Sequence, residues 1–209
     1  MWIRALLTIL LGYLLGNLNG AFLMSKLRTH EDIRNSGSGN AGLTNFMRKF
    51  GPSSGIWVLL IDFVKALLAC LLGRFLLAPV GYALEGQMLG ALAVSLGHDF
   101  PALMGFRGGK GIVCGLAIAV AADWRCALIL LAVFGLCLAL TRYVSLSSIL
   151  ASAAFSISFG IMYHDRPFAA VVGVIIGLLA IFMHRANIGR LLKGTEKKAT
   201  FSKFKKKKS

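Results

Sequence analysis

The chain has 209 residues, of which 57% are hydrophobic before its 24 glycines are counted and only 15% are charged. Ordinary soluble domains are about 45–50% apolar with glycine included and about 25% charged. Because the apolar residues also come in long blocks, this composition excludes a soluble domain, a disordered chain and a disulfide-stapled secreted module. The formal net charge of +15 would suggest nucleic acid in a soluble protein, but it is typical of basic loops in a membrane protein.

Seven apolar blocks organise the chain. A helix needs about 20 mostly apolar residues to cross a bilayer. The blocks lie at about 2–24, 53–77, 80–97, 111–123, 125–141, 143–163 and 167–183. The pair at 111–123 and 125–141 is weaker, so a re-entrant hairpin there, with five crossings in all, is the alternative. The sequence predicts an all-α, polytopic transmembrane helical bundle in one domain, 1–196, followed by a basic cytoplasmic tail, 197–209.

The distribution of Lys and Arg predicts the orientation. Eighteen of them fall in 25–51, in 98–110, at Arg142 and from 184 onward, whereas the opposite side holds only Arg4, Arg74, Arg125 and Arg166. Cytoplasmic loops are enriched in Lys and Arg, so the N-terminus is predicted outside and the C-terminus in the cytoplasm. The Lys-rich end is expected to lie on anionic membrane lipid. The four cysteines lie in or beside apolar blocks without metal-ligand spacing, so no metal site is expected.

The first of three polar segments on the predicted cytoplasmic face runs from Arg34 to Asn45, with Arg48 one turn later. Glycines allow backbone N–H groups to approach an anion closely, and small hydroxyl and amide side chains add donors. A flexible linker is the alternative, but the segment is not repetitive and leads directly into an apolar stretch. The candidate binding residues are Gly37, Ser38, Gly39, Asn40, Thr44, Asn45 and Arg48.

The second segment places a lysine among glycines at the start of an apolar helix. This pattern is typical of a helix N-terminus that binds phosphate, and Arg107 adds a fork of donors. The spacing is not that of the nucleotide P-loop. The alternative is a turn at the membrane border with ordinary topogenic charges. The candidates are His98, Arg107, Gly108, Gly109, Lys110 and Gly111.

The third segment follows the last apolar block. His184 and Asn187 share one helical face there, and Glu196 follows. Separately, Asp62 and Lys65 can pair on one face of the second block, and groups at that depth should face the bundle interior or a polar cavity. A purely structural pair and a pair that lines a substrate pocket both remain open. Together the three segments predict an interfacial pocket for a small phosphorylated molecule, open sideways to lipid.

Three stretches of the sequence match known motifs in the same order. The stretches 36–45, 97–111 and 184–196 resemble the three motifs of the bacterial acyl-phosphate:glycerol-3-phosphate acyltransferases, and the resemblance covers nearly the whole chain. It implies a seven-helix enzyme of the bacterial inner membrane with a cytoplasmic active site. The implied reaction moves a fatty acyl group from acyl phosphate to the 1-hydroxyl of glycerol 3-phosphate, giving lysophosphatidic acid and phosphate in phospholipid biosynthesis.

The resemblance also implies residue roles. Ser38, Arg48, His184 and Asn187 would be catalytic, the glycine loop with Lys110 would bind glycerol 3-phosphate, and Glu196 would be structural. The implied partners are glycerol 3-phosphate, acyl phosphate and membrane lipids. No cofactor, metal or nucleic acid is expected. The protein is expected to be monomeric. The donor's own phosphate is favoured over His184 as the proton acceptor. The sequence departs from the family pattern at Ala41, Leu43, Cys114 and Ala186.

Two interpretations from other classes remain. One is a small transporter for a phosphorylated solute, although transporters commonly place their sites near the midplane between repeats, and no repeat is visible here. The other is a catalytically silent membrane scaffold.

Overall fold

The computed structural model describes residues 1–199, and this part of the chain forms helices and turns without a strand. The all-α prediction is therefore confirmed. Most of the predicted basic tail lies outside the described residues, apart from 197–199. The helices are α1 Trp2–Asn17, α2 Gly20–Thr29, α3 Leu43–Phe50, α4 Gly55–Leu77, α5 Ala83–Asp99, α6 Ile112–Ala122, α7 Trp124–Thr141, α8 Val144–Met162, α9 Pro167–Met183 and α10 Arg185–Leu192.

Within the described chain, four helical stretches are long and apolar enough to cross a membrane. They are Trp2–Thr29, Pro52–Val80, Trp124–Thr141 and Val144–Met162. The pair α9 and α10, bent by 54° at the break between them, makes a fifth. Helix α5 has 17 residues and α6 only 11. At 1.5 Å per residue α6 rises about 16 Å, roughly half the hydrocarbon thickness. The count of seven crossings therefore stays a prediction.

The first predicted span is interrupted between α1 and α2. Asn19 caps α2, because its Oδ1 accepts from the Phe22 N–H at 2.9 Å, while its Nδ2 donates to the Ala41 carbonyl at 2.9 Å. The carbonyls of Gly16 and Leu18 at this break accept hydrogen bonds from Lys65 of α4, at 3.1 and 2.8 Å. A buried side-chain network thus replaces the backbone hydrogen bonds that the helix break gives up.

Glycines allow α5 to pack closely against α1 and α4. A Cβ on Gly16 would overlap the Gly97 backbone, and a Cβ on Gly90 would overlap the Ala69 backbone. Small residues at such crossings let helix backbones approach, which is the usual way that membrane helices associate. As a result, the break after α1, the Asp62 turn of α4 and the end of α5 lie side by side.

Apolar residues both fill the bundle and cover its outside. The main core cluster joins small and large side chains from α4 to α9, including Ala69, Met88, Ile118 and Phe159. Large apolar side chains such as Leu6, Leu68 and Leu128 are exposed on the outer surface. An extended apolar exterior is the surface expected of a bundle that is surrounded by lipid. A smaller core cluster supports the first polar segment and consists of Ala21, Ile33, Ala41, Phe46, Val58 and Met104.

Candidate active site

The structure brings the three predicted polar segments together. Arg34 Nη1 donates to the carbonyls of Met104 and Arg107, at 2.5 and 3.1 Å, and so joins the first segment to the second. Lys110 Nζ donates to Asn187 Oδ1 and so joins the second segment to the third. Residues far apart in sequence therefore form one continuous polar site at one end of the bundle.

Lys110 lies at the centre of this site. Its Asn187 partner is held by Glu196, whose Oε1 accepts from Asn187 Nδ2 at 2.9 Å. Glu196 Oε2 also accepts from Arg190 Nε at 2.5 Å. The pKa of Lys110 is lowered to about 8, chiefly by burial and then by Arg190 and Arg48, while Glu196 acts in the opposite direction. The centre of the site is therefore a crowded group of positive charges that one carboxylate only partly balances.

Glu196 supports this group as an ionised carboxylate. Its partial burial would raise its pKa, but hydrogen bonds from Arg190 and Asn187 lower it below the ordinary value. Because both of its oxygens accept hydrogen bonds from the third segment, the acid orients Asn187 toward Lys110. The structural role that the resemblance implies for Glu196 stays a prediction, and these two hydrogen bonds are the contacts through which the residue would act.

His184 lies between α9 and α10 and is only 3% exposed. Its Nδ1 is 2.8 Å from the Ala180 carbonyl, which can only accept, so Nδ1 carries the proton and Nε2 is free to accept. Burial lowers the pKa of His184 to about 4, Lys110 adds to this effect, and the Ala180 hydrogen bond and Glu196 oppose it. At neutral pH the imidazole is thus uncharged and a weak base.

Asn45 organises the first segment from inside. Its Oδ1 accepts from the Ser38 N–H at 2.9 Å, and its Nδ2 donates to the carbonyls of Ile33, Ser36 and Asn40 at 3.2, 2.9 and 3.0 Å. The residue is 3% exposed. Direct contact with a substrate, which the sequence predicted for Asn45, is therefore not favoured.

Gly37 has a local reason to be glycine. Its φ is +60°, and a Cβ there would overlap Asn45 Oδ1. Gly39, with a φ of +72°, also adopts the left-handed conformation that glycine tolerates best. The turn around Asn45 consequently presents Ser38 outward.

Several candidate side chains are exposed and free to meet a ligand. Within residues 1–199, the side chains of Ser38, Arg48 and Arg107 form no hydrogen bond or ion pair with protein. Asn40 and Thr44 are half-buried beside them, and their side chains likewise form no hydrogen bond to the described chain. Together with Lys110, these groups supply donors from two of the three segments.

The glycine loop differs from its predicted form. The N–H groups of Gly108 and Gly109 donate to the carbonyls of Asp99 and His98, at 3.1 and 3.0 Å, so they fasten the loop to α5 and are not free for an anion. Gly111 precedes α6 with a φ of +70°. The first N–H groups of α6 have no acceptor within that helix, so they are candidate backbone donors for an anion at this point.

Asp62, Lys65 and His98 lie one layer beneath the site. They are 2%, 3% and 4% exposed. Lys65 Nζ is 2.8 Å from both Asp62 Oδ1 and His98 Nδ1, and it also bonds the two carbonyls at the break after α1. The Asp62–Lys65 pair of α4 therefore contacts α5 and the end of α1. These contacts favour a role in supporting the site over direct substrate contact by Asp62 and Lys65.

Sequence reasoning missed two arginines that assemble the site. Arg34 bonds across to the second segment while forming an ion pair with Asp32 at 2.7 Å, and nothing in the local pattern signals the long-range contact. Arg190 pairs with Glu196 because the chain reverses at Gly194, where φ is +67°. A glycine just past a helix end is a recognisable signal for such a reversal.

These features define an integral membrane protein whose helical bundle carries a cationic, anion-binding site at one end. The family model described as "Glycerol-3-phosphate acyltransferase" matches residues 6–194, and the chain belongs to this family of membrane enzymes. The resemblance seen in the sequence motifs is thereby confirmed.

Relatives described as glycerol-3-phosphate acyltransferases align with this chain over nearly their whole length. The glycerol-3-phosphate acyltransferase of Thermoanaerobacter sp. (strain X514) is 39% identical over 194 residues, covering 93% of this chain and 95% of the relative. That of Clostridioides difficile (strain 630) is 40% identical over 187 residues, covering 89% of this chain and 91% of the relative.

A solved structure shares the fold. The crystal structure of PlsY (YgiH), an integral membrane glycerol 3-phosphate acyltransferase, in its glycerol 3-phosphate form is 33% identical, with a TM-score of 0.83 and coverage of 94% of this chain and 96% of that one. The lysophosphatidic acid form of the same protein has a TM-score of 0.81 at 33% identity.

Proposed function

We propose that the protein transfers a fatty acyl group from acyl phosphate to the 1-hydroxyl of glycerol 3-phosphate, forming lysophosphatidic acid and inorganic phosphate. The observation that carries this proposal is the Lys110 group, a half-buried ammonium that contacts Asn187 and lies near Arg190, Glu196 and Arg48. Within residues 1–199 the side chain of Arg48 has no protein partner. Its chemistry suits phosphate monoesters. Support also comes from the related structure, whose two forms contain glycerol 3-phosphate and lysophosphatidic acid.

The reaction suits a site with many donors and few bases. The 1-hydroxyl oxygen forms a bond to the acyl carbon, the bond from that carbon to the phosphate oxygen breaks, and the hydroxyl proton leaves with the phosphate. Because an acyl phosphate is already activated, the protein mainly has to position two phosphates and stabilise developing charge. His184 is neutral and weakly basic, so the donor's phosphate is the better proton acceptor.

The free side chains divide naturally between the two substrates. Lys110 and Arg107 of the glycine loop bind the phosphate of glycerol 3-phosphate. Ser38 and Arg48 of the first segment bind the acyl phosphate and stabilise the charge on its carbonyl. Asn187 keeps Lys110 in place. Gly39, Asn40 and Thr44 line the first segment between these groups.

The proposed topology has seven crossings, with the N-terminus outside and the site on the cytoplasmic side of the bacterial inner membrane. The bias of Lys and Arg toward the segments that build the site supports this orientation. Helix α6 then crosses only with the help of the polar loop that precedes it. The proposed working unit is a monomer, with membrane lipid around it. Reporter fusions after α4 and after α7 test the orientation, since the two positions should lie on opposite sides.

The activity test uses purified protein in detergent with palmitoyl phosphate and glycerol 3-phosphate, and follows phosphate release and lysophosphatidic acid formation. Palmitoyl-CoA replaces the donor in a second reaction. Turnover with acyl phosphate alone supports the proposal. No turnover in a well-folded sample would reject it in favour of a transporter or a silent scaffold, and turnover with the thioester alone would reject the donor.

Two adjacent basic residues of α3 provide a matched comparison. Arg48→Ala removes a proposed catalytic cation, and we expect kcat/KM to fall by about 100-fold or more, in the range seen when one charge-stabilising donor is lost. Lys49→Ala removes an equal charge whose partners are Glu31, at 2.5 Å, and the Ser36 hydroxyl, at 3.0 Å. Because exposed ion pairs contribute little, this variant should stay within about 3-fold of the parent protein. Equal losses in the two variants would contradict the role of Arg48.

A further inference from the structure

His98 connects a buried charge pair to the glycine loop. The imidazole is 4% exposed and lies between Lys65 of α4 and the backbone of Gly109. One ring nitrogen, Nδ1, is 2.8 Å from Lys65 Nζ. The other, Nε2, occupies the space that a Cβ at position 109 would need. The ring therefore fills the gap beneath the loop and leaves room only for glycine above it.

The contacts of Lys65 determine which ring nitrogen carries the proton. An ammonium group has three donors and no acceptor. Those donors go to the carbonyls of Gly16 and Leu18, at 3.1 and 2.8 Å, and to His98 Nδ1. The ion pair with Asp62, at 2.8 Å, is consistent with a charged Lys65. Nδ1 must then accept, which places the proton of the imidazole on Nε2.

A doubly protonated ring does not fit this arrangement. It would direct an Nδ1–H at the Lys65 ammonium across 2.8 Å, where two donors and two positive charges would face each other. Asp62 Oδ1 is farther from Nδ1, at 3.6 Å, and it already contacts Lys65. The neutral tautomer with an Nε2–H is the one that every neighbour accommodates.

The Nε2–H has no acceptor in residues 1–199, and Nε2 is not among the fully enclosed polar atoms, so a small ligand or water can reach it. A donor in an otherwise buried ring that no protein group pairs usually indicates a bound ligand or water. The donor lies against Gly109, next to Lys110, in the loop proposed to bind phosphate. The missing acceptor is accordingly expected to be an anion held by that loop.

We propose that His98 donates its Nε2–H to a phosphate oxygen held by the glycine loop, and that Lys65 positions His98 for this by fixing its tautomer. The inference rests on the proposed function and deepens it, since it assigns a donor beneath the loop. Both substrates carry phosphate oxygens, so the two Michaelis constants identify the one that is bound. The position beside Lys110 selects glycerol 3-phosphate.

The tautomer is tested directly on the unmodified protein. The chain has four histidines, so ¹⁵N-histidine labelling in detergent gives four pairs of ring-nitrogen signals, and His98→Gln identifies the pair from position 98. We expect a bare, acceptor-type Nδ1 and a protonated Nε2, with Nε2 shifting when glycerol 3-phosphate is added. A protonated Nδ1, or an Nε2 signal insensitive to glycerol 3-phosphate, would overturn the proposal without any variant having to fold.

The kinetic test compares two amides in place of the imidazole. In His98→Gln the longer side chain can carry its NH₂ group to the Nε2 position, whereas in His98→Asn the amide reaches only the Nδ1 position beside Lys65. We expect the glycerol 3-phosphate KM to stay within about 3-fold for the Gln variant and to rise about 10- to 100-fold for the Asn variant. The acyl phosphate KM should change little in both.

Ser95→Ala is the matched control, because Ser95 is a buried polar residue one turn earlier on α5 whose hydroxyl bonds only its own helix, at the Ala91 carbonyl, 2.8 Å away. Its KM values should be unchanged.

Equal losses of kcat in the His98→Gln and His98→Asn variants at constant KM would show a purely structural role and overturn the proposal. A rise confined to the acyl phosphate KM would show that His98 binds the phosphate of acyl phosphate and not that of glycerol 3-phosphate. An inactive parent protein would instead refute the proposed function.

Discussion

Lys110 Nζ donates a hydrogen bond to Asn187 Oδ1 across 77 positions of sequence. The amide oxygen that receives it is held in place because the amide nitrogen bonds Glu196. The loop before α6 and the helix after α9 are thus joined at a point where Arg190 and Arg48 lie close enough to act on Lys110. The behaviour of Lys110 should therefore report on the whole site.

Replacement of Lys110 by alanine should mainly weaken binding of glycerol 3-phosphate. A hydrogen bond to a charged group contributes about 1.5–3 kcal/mol, so we expect its KM to rise about 10- to 100-fold with a smaller change in kcat. Steady-state kinetics at saturating acyl phosphate measure the effect. Lys193→Ala, which removes an exposed lysine just past α10, is the control. An unchanged KM in Lys110→Ala would contradict the assignment of the loop.

The activity should depend on pH through Lys110. Its pKa is lowered to about 8, so the ammonium is present below pH 8 and is lost as the pH rises above it. The kcat/KM for glycerol 3-phosphate should therefore be close to its maximum near pH 7, fall to about half by pH 8 and continue to fall toward pH 9.5. The second pKa of a phosphate monoester is about 6, outside this window.

Lys110→Arg provides the comparison for the pH profile. A guanidinium keeps its charge throughout this range, so any activity that the variant retains should lose the alkaline decline. Hydrolysis of the acyl phosphate without enzyme is subtracted at each pH. The same alkaline fall in the parent protein and in Lys110→Arg would assign the titration to another group.

Loss of the Asn45 side chain should destabilise the protein more than any other change in the first segment. Asn45→Ala removes four hydrogen bonds from a residue that is 3% exposed, and the stranded groups together should lower the free energy of unfolding by about 2–4 kcal/mol. Thermal unfolding in detergent measures the change. Thr44→Ala alters the neighbouring residue, whose side chain forms no hydrogen bond to residues 1–199, and its unfolding temperature should move little. Equal shifts would contradict the organising role of Asn45.

His184→Gln should retain most of the activity. The imidazole is neutral with a pKa of about 4, so it is a poor base at pH 7 and its contribution is hydrogen bonding, which an amide can supply. We expect kcat within about 10-fold of the parent protein. Loss of a general base typically costs about 10²–10⁴-fold, so a fall of that size would make His184 the proton acceptor.

The apolar blocks could be predicted because bilayer thickness fixes the length of a crossing helix. The bounds of α4, α7, α8 and α9 fall within a few residues of the predicted blocks. The break after α1 could not be foreseen, because it depends on Lys65, whose ammonium bonds the carbonyls that the break exposes. Helix α6 is short because it is bounded by Gly111 and Asp123. A hydropathy average does not register the effect of these two residues on the ends of the helix.

The site could be predicted as a set of segments but not as a set of contacts. Glycine, lysine and amide residues indicated anion binding, yet the pattern gave no means to separate exposed candidate ligands such as Arg48 from buried residues such as Asn45. The departure at Cys114 is explained by the structure: its Sγ donates to the Asp62 carbonyl at 3.5 Å, a contact that a hydroxyl group could also make. That carbonyl lies 52 positions away, beyond the reach of local patterns.

The order in which the chain is synthesised limits when the site can exist. Lys110 is made long before Asn187 and Glu196, so its amine has no amide partner until α10 and the reversal at Gly194 have been completed. A nascent chain that has inserted only α1 to α8 holds the glycine loop without the group that orients its lysine. Catalytic competence is therefore acquired in one late step, and truncated chains left in the membrane would be inert.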